Sequence, residues 1–209
     1  TSMATRYPGD RSTDESLVTD AGITTSVNAI ELLEQDHRQV EEWFEQFGRT
    51  DDAGRKESLA RDICKALEVH AQIEEEIFYP AFIDAGGDAG LHRESIIEHE
   101  SARDLIARIR HSAGAAADDF FDARVKVLQE MIRHHVGEEE KPGGMFEQAQ
   151  AVGMDLDLLG PRLERRKVQL MDDAGTDAGY DAAVGVPDEV QSISPGLANP
   201  DLRRGAGRR

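Results

Sequence analysis

The chain has 209 residues, 39% of them hydrophobic, and carries 42 Asp+Glu against 24 Lys+Arg for a formal net charge of −18. That balance counts against nucleic acid and anionic membrane surfaces, both of which need a basic footprint, and no run of eighteen apolar residues spans a bilayer. The single cysteine, Cys64, excludes a disulfide framework and a thiolate metal cluster within one chain and fits a reducing cytoplasm.

Residues 1–26 are rich in Thr, Ser, Asp and Gly without apolar periodicity, which reads as a flexible arm, and TSMATRYPGDRSTDES lacks the apolar segment of a secretory signal. From Val27 the period becomes helical: Ile30, Leu33, His37, Val40, Phe44 and Phe47 form one stripe, with Ser26 as N-cap and Gly48 as stop. A second helix is expected over 55–82, with Ile63, Leu67, His70, Glu74 and Ile77 in line. A third is expected over 90–112, with Ile96, His99, Ala102, Ile106 and Ile109. A fourth is expected over 117–140, with Val125, Leu128, Ile132, His135 and Glu139, stopped by Pro142-Gly143-Gly144. Short loops between four amphipathic helices predict an all-α, up-down-up-down four-helix bundle. One or two extra C-terminal helices follow, over 145–151 and 155–171, capped by Asp155 or Asp157 and packing across the bundle or its open end. The ordered unit is thus 27–171, and the composition of 172–209 reads as a disordered tail ending in RRGAGRR.

One histidine falls on the apolar row of each bundle helix, at 37, 70, 99 and 135, and helices two and four add Glu74 and Glu139 one turn later. Residues i and i+4 share a helix face, so each pair points together into the core. A single histidine on an apolar row is ordinarily a hydrogen-bonded core residue, and a single His-x-x-x-Glu is an ordinary surface pair. Four helices converging with ligand-type side chains is better explained by bound metal, because burying such groups unpaired costs several kcal/mol, about 2–7 even for a neutral polar group. On helix four, His134 and Glu138 form a competing pair, but their row runs through Arg124, Val127 and Met131, whereas that of His135 and Glu139 is apolar. Glu75 and Glu76 fall on the solvent side, and His92 and His111 look like surface residues at helix ends. Six imidazole and carboxylate donors exceed one tetrahedral zinc site. Two carboxylates between histidine clusters suit two adjacent cations, iron first, with manganese or zinc fitting less well. A ferritin-type pair of Glu-x-x-His motifs is not present: Glu34-x-x-His37 occurs once, and Glu34 lies off the row.

The segments LLEQDHRQVEEWFEQF, HAQIEEEIFYPAF, EHESARDLIARI and HHVGEEEKPGGMFEQA resemble the hemerythrin-like, or HHE cation-binding, domains over residues 27–170. The resemblance implies a four-helix bundle around a non-haem di-iron centre with carboxylate bridges and, in many members, an oxo or hydroxo bridge. It also implies His37, His70, Glu74, His99, His135 and Glu139 as the ligands. Oxygen-carrying relatives have a further histidine four residues after the third-helix one, where this chain has Arg103. That difference implies an open position on one iron and points away from simple reversible oxygen carriage. Lys141-Pro142-Gly143-Gly144 is a second departure from the pattern. The expected function is binding or sensing of O2, NO or H2O2. The alternatives are an enzyme disproportionating peroxide or reducing nitric oxide, or a protein that stores or donates iron. Tyr79, one turn past Glu74, is either a proton or electron donor or a packing residue.

Overall fold

The computed structural model describes residues 27–112 and 120–176. The expected arm over 1–26, the expected tail beyond 176 and the start of the fourth expected helix at 117–119 lie outside the described residues. Among those described, every regular element is helical: α1 Ala29–Arg49, α2 Ala53–Ile73, a π-helical turn Glu74–Phe78, α3 Tyr79–Asp84, α4 Ala89–Ser112, α5 Phe121–Glu140, α6 Met145–Ala151 and α7 Leu156–Thr176.

The ends of these helices follow their capping chemistry. Asn28, not Ser26, caps α1: its side chain accepts from Glu31 N (3.0 Å) while the Glu31 carboxylate accepts from Asn28 N (3.3 Å). Gly48 does not stop the helix, which runs on to Arg49, where an Arg49–Glu45 pair (2.8 Å) supports the last turn. Asp52 caps α2 by accepting from Arg55 N (2.7 Å). After α5 the backbone approaches so closely that a Cβ on Gly144 would lie 2.4 Å from the Glu138 carbonyl oxygen, which is why the expected stop needs glycine there.

Helix two of the sequence reading is one rod in three parts, α2, the π turn and α3. Pro80 explains the irregularity: it has no N–H to give and its ring collides with the carbonyl four residues back in a regular helix. The turn widens, and Tyr79 N–H bonds to the Glu74 carbonyl, five residues earlier.

Helix α1 packs on α2 and α4 on α5, with further contacts joining α2 to α4 and α1 to α5. Their apolar rows make two core clusters. Phe44, Leu59, Ile63, Leu67, Ile106 and Leu128 belong to one, and Leu33, Ile73, Phe78, Phe82, Met145 and Phe146 to the other. The second cluster includes Leu159 and Leu163 of α7, which lies along α1, α2 and the π turn. Helix α7 extends through 172–176, residues assigned by composition to the tail, because a helix already anchored by packing propagates at little cost. Gly160 lets α7 meet the start of α1: a Cβ there would lie 2.1 Å from the Val27 carbonyl oxygen. Gly160→Ala is therefore expected to destabilise the metal-free protein by about 1–3 kcal/mol, read as a lowered Tm in thermal unfolding.

Candidate metal centre

Between the two apolar clusters runs a belt of buried polar side chains. His37 follows Leu33 and precedes Val40 on α1, and His70 lies between Leu67 and Ile73 on α2, so each helix passes from one cluster to the other through its histidine. The structure brings together all six residues singled out from the sequence, and all are buried: His37, His70, Glu74, His99, His135 and Glu139 are 0–6% exposed. His134 is exposed and Glu138 only partly buried, so the competing pair stays outside.

The six side chains form two histidine pairs crossed by two carboxylates. His37 Nε2 faces His70 Nε2 at 3.1 Å, and His99 Nε2 faces His135 Nε2 at 3.2 Å. Glu74 Oε2 lies 3.3 Å from His70 Nε2 and 3.4 Å from His99 Nε2. Glu139 Oε2 lies 3.5 Å from His37 Nε2 and 3.6 Å from His135 Nε2. Each carboxylate thus reaches one histidine of each pair.

The outward nitrogens explain why the inward ones are free. His37 Nδ1 bonds Glu140 (2.7 Å), His70 Nδ1 bonds Asp36 (3.4 Å), His99 Nδ1 bonds Glu75 (2.8 Å) and His135 Nδ1 bonds Glu98 (2.8 Å). A carboxylate accepts, so each Nδ1 carries the proton and each Nε2 presents a lone pair inward. These supports make a closed ring: α5 holds α1, α1 holds α2, the π turn holds α4 and α4 holds α5. Sequence reading missed all four, and it placed Glu75 in solvent. The signal was there, since each supporting carboxylate immediately precedes or follows a member of the inner six: Asp36-His37, Glu74-Glu75, Glu98-His99 and Glu139-Glu140. A helical-row rule discards such neighbours, because adjacent residues point about 100° apart.

Facing lone pairs at 3.1–3.2 Å repel unless a cation lies between them. Burial and charge show the metal-free compromise. Burial alone would drive His70 and His135 neutral, but Glu74 and Asp36 push His70 up to about 10, and Glu139 and Glu98 push His135 up to about 9. Their partners go the other way: burial pulls His37 down to about 4 and lowers His99. Glu74 stays ionised despite burial because His70 and its neighbours hold it below the usual carboxylate range, whereas burial and the Glu74 charge push Glu139 up to about 8. Glu74 Oε1 and Glu139 Oε2 are buried without a hydrogen-bond partner. Protons thus stand in for cations in a site whose donor set fits metal.

At neutral pH the metal-free site shares protons among His70, His135 and Glu139, all of which bind them more tightly than the free groups do, and metal must displace them. Affinity for a divalent cation is expected to climb as pH rises from about 7 towards 10, with the proton on His70 the last to leave unaided. Calorimetric titrations in two buffers of different ionisation enthalpy should show proton release; a pH-independent affinity would contradict it.

Three more side chains matter. Tyr79 is fully buried, and its hydroxyl lies 3.1 Å from Glu139 Oε1, 3.4 Å from Glu74 Oε2 and 3.4 Å from His99 Nε2. The π turn is what delivers it, since in a regular helix the residue above Glu74 would be Phe78. Burial and the two glutamates push its phenol well above the usual range, so it is a proton holder in the metal-free site. His92, expected on the surface, packs edge-on against the Tyr79 ring at 5.6 Å. Arg103 turns its guanidinium to Glu75 (2.5 Å) and lines a mostly apolar cavity beside the histidines, with Val40, Leu67, Ala102 and Ile132. The cavity holds about 30 Å³, room for one water-sized molecule.

An all-helical bundle with this inner set of histidines and carboxylates is a cation-binding architecture. The hemerythrin HHE cation-binding domain family matches residues 28–142, and the chain belongs to it. A DNA nickase of Nostoc sp. (strain PCC 7120 / SAG 25.82 / UTEX 2576) is 27% identical over 125 residues, covering 60% of this chain and 35% of the relative. The chain therefore spans about a third of that relative's length. No solved structure matches. Helices α6 and α7 lie beyond the family match, and no described helix is long and apolar enough to cross a membrane.

Proposed function

We propose that this chain is a di-iron protein that binds small oxidants, O2, NO or H2O2, in the cytoplasm. Its working unit is an up-down-up-down bundle with its C-terminal helix over 27–171. His37 and His70 would hold one iron and His99 and His135 the other, with Glu74 and Glu139 available to both. The observation that carries this reading is that each carboxylate reaches one histidine of each pair, as two adjacent cations need and one does not. Mixed imidazole and carboxylate donors without thiolate favour iron.

Bound iron would supply a coordination position and redox equivalents. The chain's own contribution is to fix four imidazoles through their Nδ1 bonds, keep both carboxylates dry, and leave a small apolar chamber beside them. That chamber suits a diatomic or peroxide. Tyr79 favours a second reading, peroxide turnover: a protonated phenol 3.1 Å from Glu139 can pass a proton to an oxygen arriving at the centre. The DNA nickase relative gives no parallel reading, because a net charge of −18 opposes phosphate binding.

Metal analysis followed by absorption spectra under O2, NO and peroxide in turn tests this. Iron at about two per chain, with bands that change on exposure to one of these molecules, is the expected result. A single zinc, or no metal retained by the intact bundle, ends the reading. Steady release of O2 from peroxide would select the enzyme over the binding protein.

A further inference from the structure

Each carboxylate of the outer ring itself faces a basic side chain, and one of those side chains comes from outside the four bundle helices. Arg38 on α1 holds Glu140, Arg103 on α4 holds Glu75, and His134 on α5 faces Glu98 at 3.4 Å. Asp36, the support of His70, is held by Lys167 of α7. We propose that Lys167 is a positioning residue of the metal centre, acting through Asp36 on His70, so that α7 governs the His37/His70 side and not the other.

The placement of α7 makes this contact a built one. Leu159 and Leu163 seat the helix in the core. Arg166, next to Lys167, forks onto Glu76 of the π turn at 2.6 and 3.0 Å, and Lys65 of α2 donates to the Met171 carbonyl at 2.8 Å. Lys167 is thus presented to Asp36, whose side chain is only 13% exposed, from a helix held on both sides of it. A carboxylate bonded to the far nitrogen of a histidine makes that histidine a richer donor. A lysine on the same carboxylate draws charge away and moderates the effect. The other three basic partners, Arg38, Arg103 and His134, sit on elements of the bundle itself, so α7 imposes an asymmetry that the six inner residues do not contain.

The test uses full-length protein carrying Lys167→Met, Lys167→Arg or, as a control at an exposed position of the same helix, Arg165→Met. The metal-free arm reads imidazole ¹⁵N and Nδ1–H shifts. Lys167→Met is expected to move the His70 signals and leave those of His99 in place, Lys167→Arg to restore them, and Arg165→Met to leave both unchanged. The iron-loaded arm, which rests on the proposed centre, reads reduction potential. Lys167→Met should favour the ferric state about tenfold, a fall of about 59 mV for one electron, with Lys167→Arg near wild type. Unmoved His70 signals, or an equal movement of His99 that betrays general loosening, would overturn the proposal. If the wild type takes up no iron, the di-iron reading fails and the imidazole shifts still decide this one.

Discussion

Glu74→Ala protein, purified with iron supplied, should come off the column nearly metal-free, while His37→Ala retains part of its iron. The difference follows from geometry. His37 belongs to one histidine pair, whereas Glu74 Oε2 reaches His70 of one pair and His99 of the other. Losing Glu74 also removes the charge that keeps His70 and its neighbours company in a dry interior, leaving buried positive groups uncompensated. Even outer-shell changes weaken metal sites about 10–100-fold, so losing a shared inner carboxylate should exceed that at both positions. Iron quantitation per chain, with circular dichroism to confirm that the helices persist, gives the answer. Equal iron loss in the two variants would mean that the carboxylate serves one metal only.

Tyr79→Phe should separate binding from turnover. The phenyl ring keeps the stacking on His99 (5.7 Å) and the packing on Phe78 (6.2 Å), so the fold and the iron content should stay. What disappears is one hydroxyl touching both carboxylates. If the phenol passes protons to peroxide, oxygen release should fall by about 100-fold or more, the usual scale for removing a positioned acid. Nitric oxide binding, which needs no proton, should be unchanged. A variant that turns over peroxide at the wild-type rate would return Tyr79 to a packing role.

Most of the inner site was legible because helical spacing is a strong rule. His70 with Glu74 and His135 with Glu139 share a face by arithmetic, and the apolar rows chose His135 over His134 correctly as the buried residue. What escaped was whatever breaks that arithmetic or ignores it. The π turn shifts Tyr79 by one position: the sequence raised this tyrosine as a donor or a packing residue, but a regular period does not show the irregularity at Pro80 that brings its hydroxyl to both carboxylates. Glu75, Glu98, Glu140 and Asp36 sit beside inner residues in sequence but serve neighbouring helices, so their roles exist only in the assembled bundle. Gly48 failed as a stop because local pairing, not composition, decides where the last turn frays. The tail boundary moved for a similar reason: α7 is held by tertiary contacts that composition does not record.

The closed ring of supports bears on how the molecule is put together. No single helical hairpin contains even half a finished site. The α1–α2 hairpin brings His37 and His70, yet His37 takes its support from Glu140, 103 positions later in the chain. The α4–α5 hairpin brings His99 and His135, yet His99 waits on Glu75. Either hairpin alone therefore leaves one of its histidines without its outer support, and all four supports exist together only once the two hairpins have packed. A fully supported donor set is a signature of the assembled molecule, much as a lock reports a closed door.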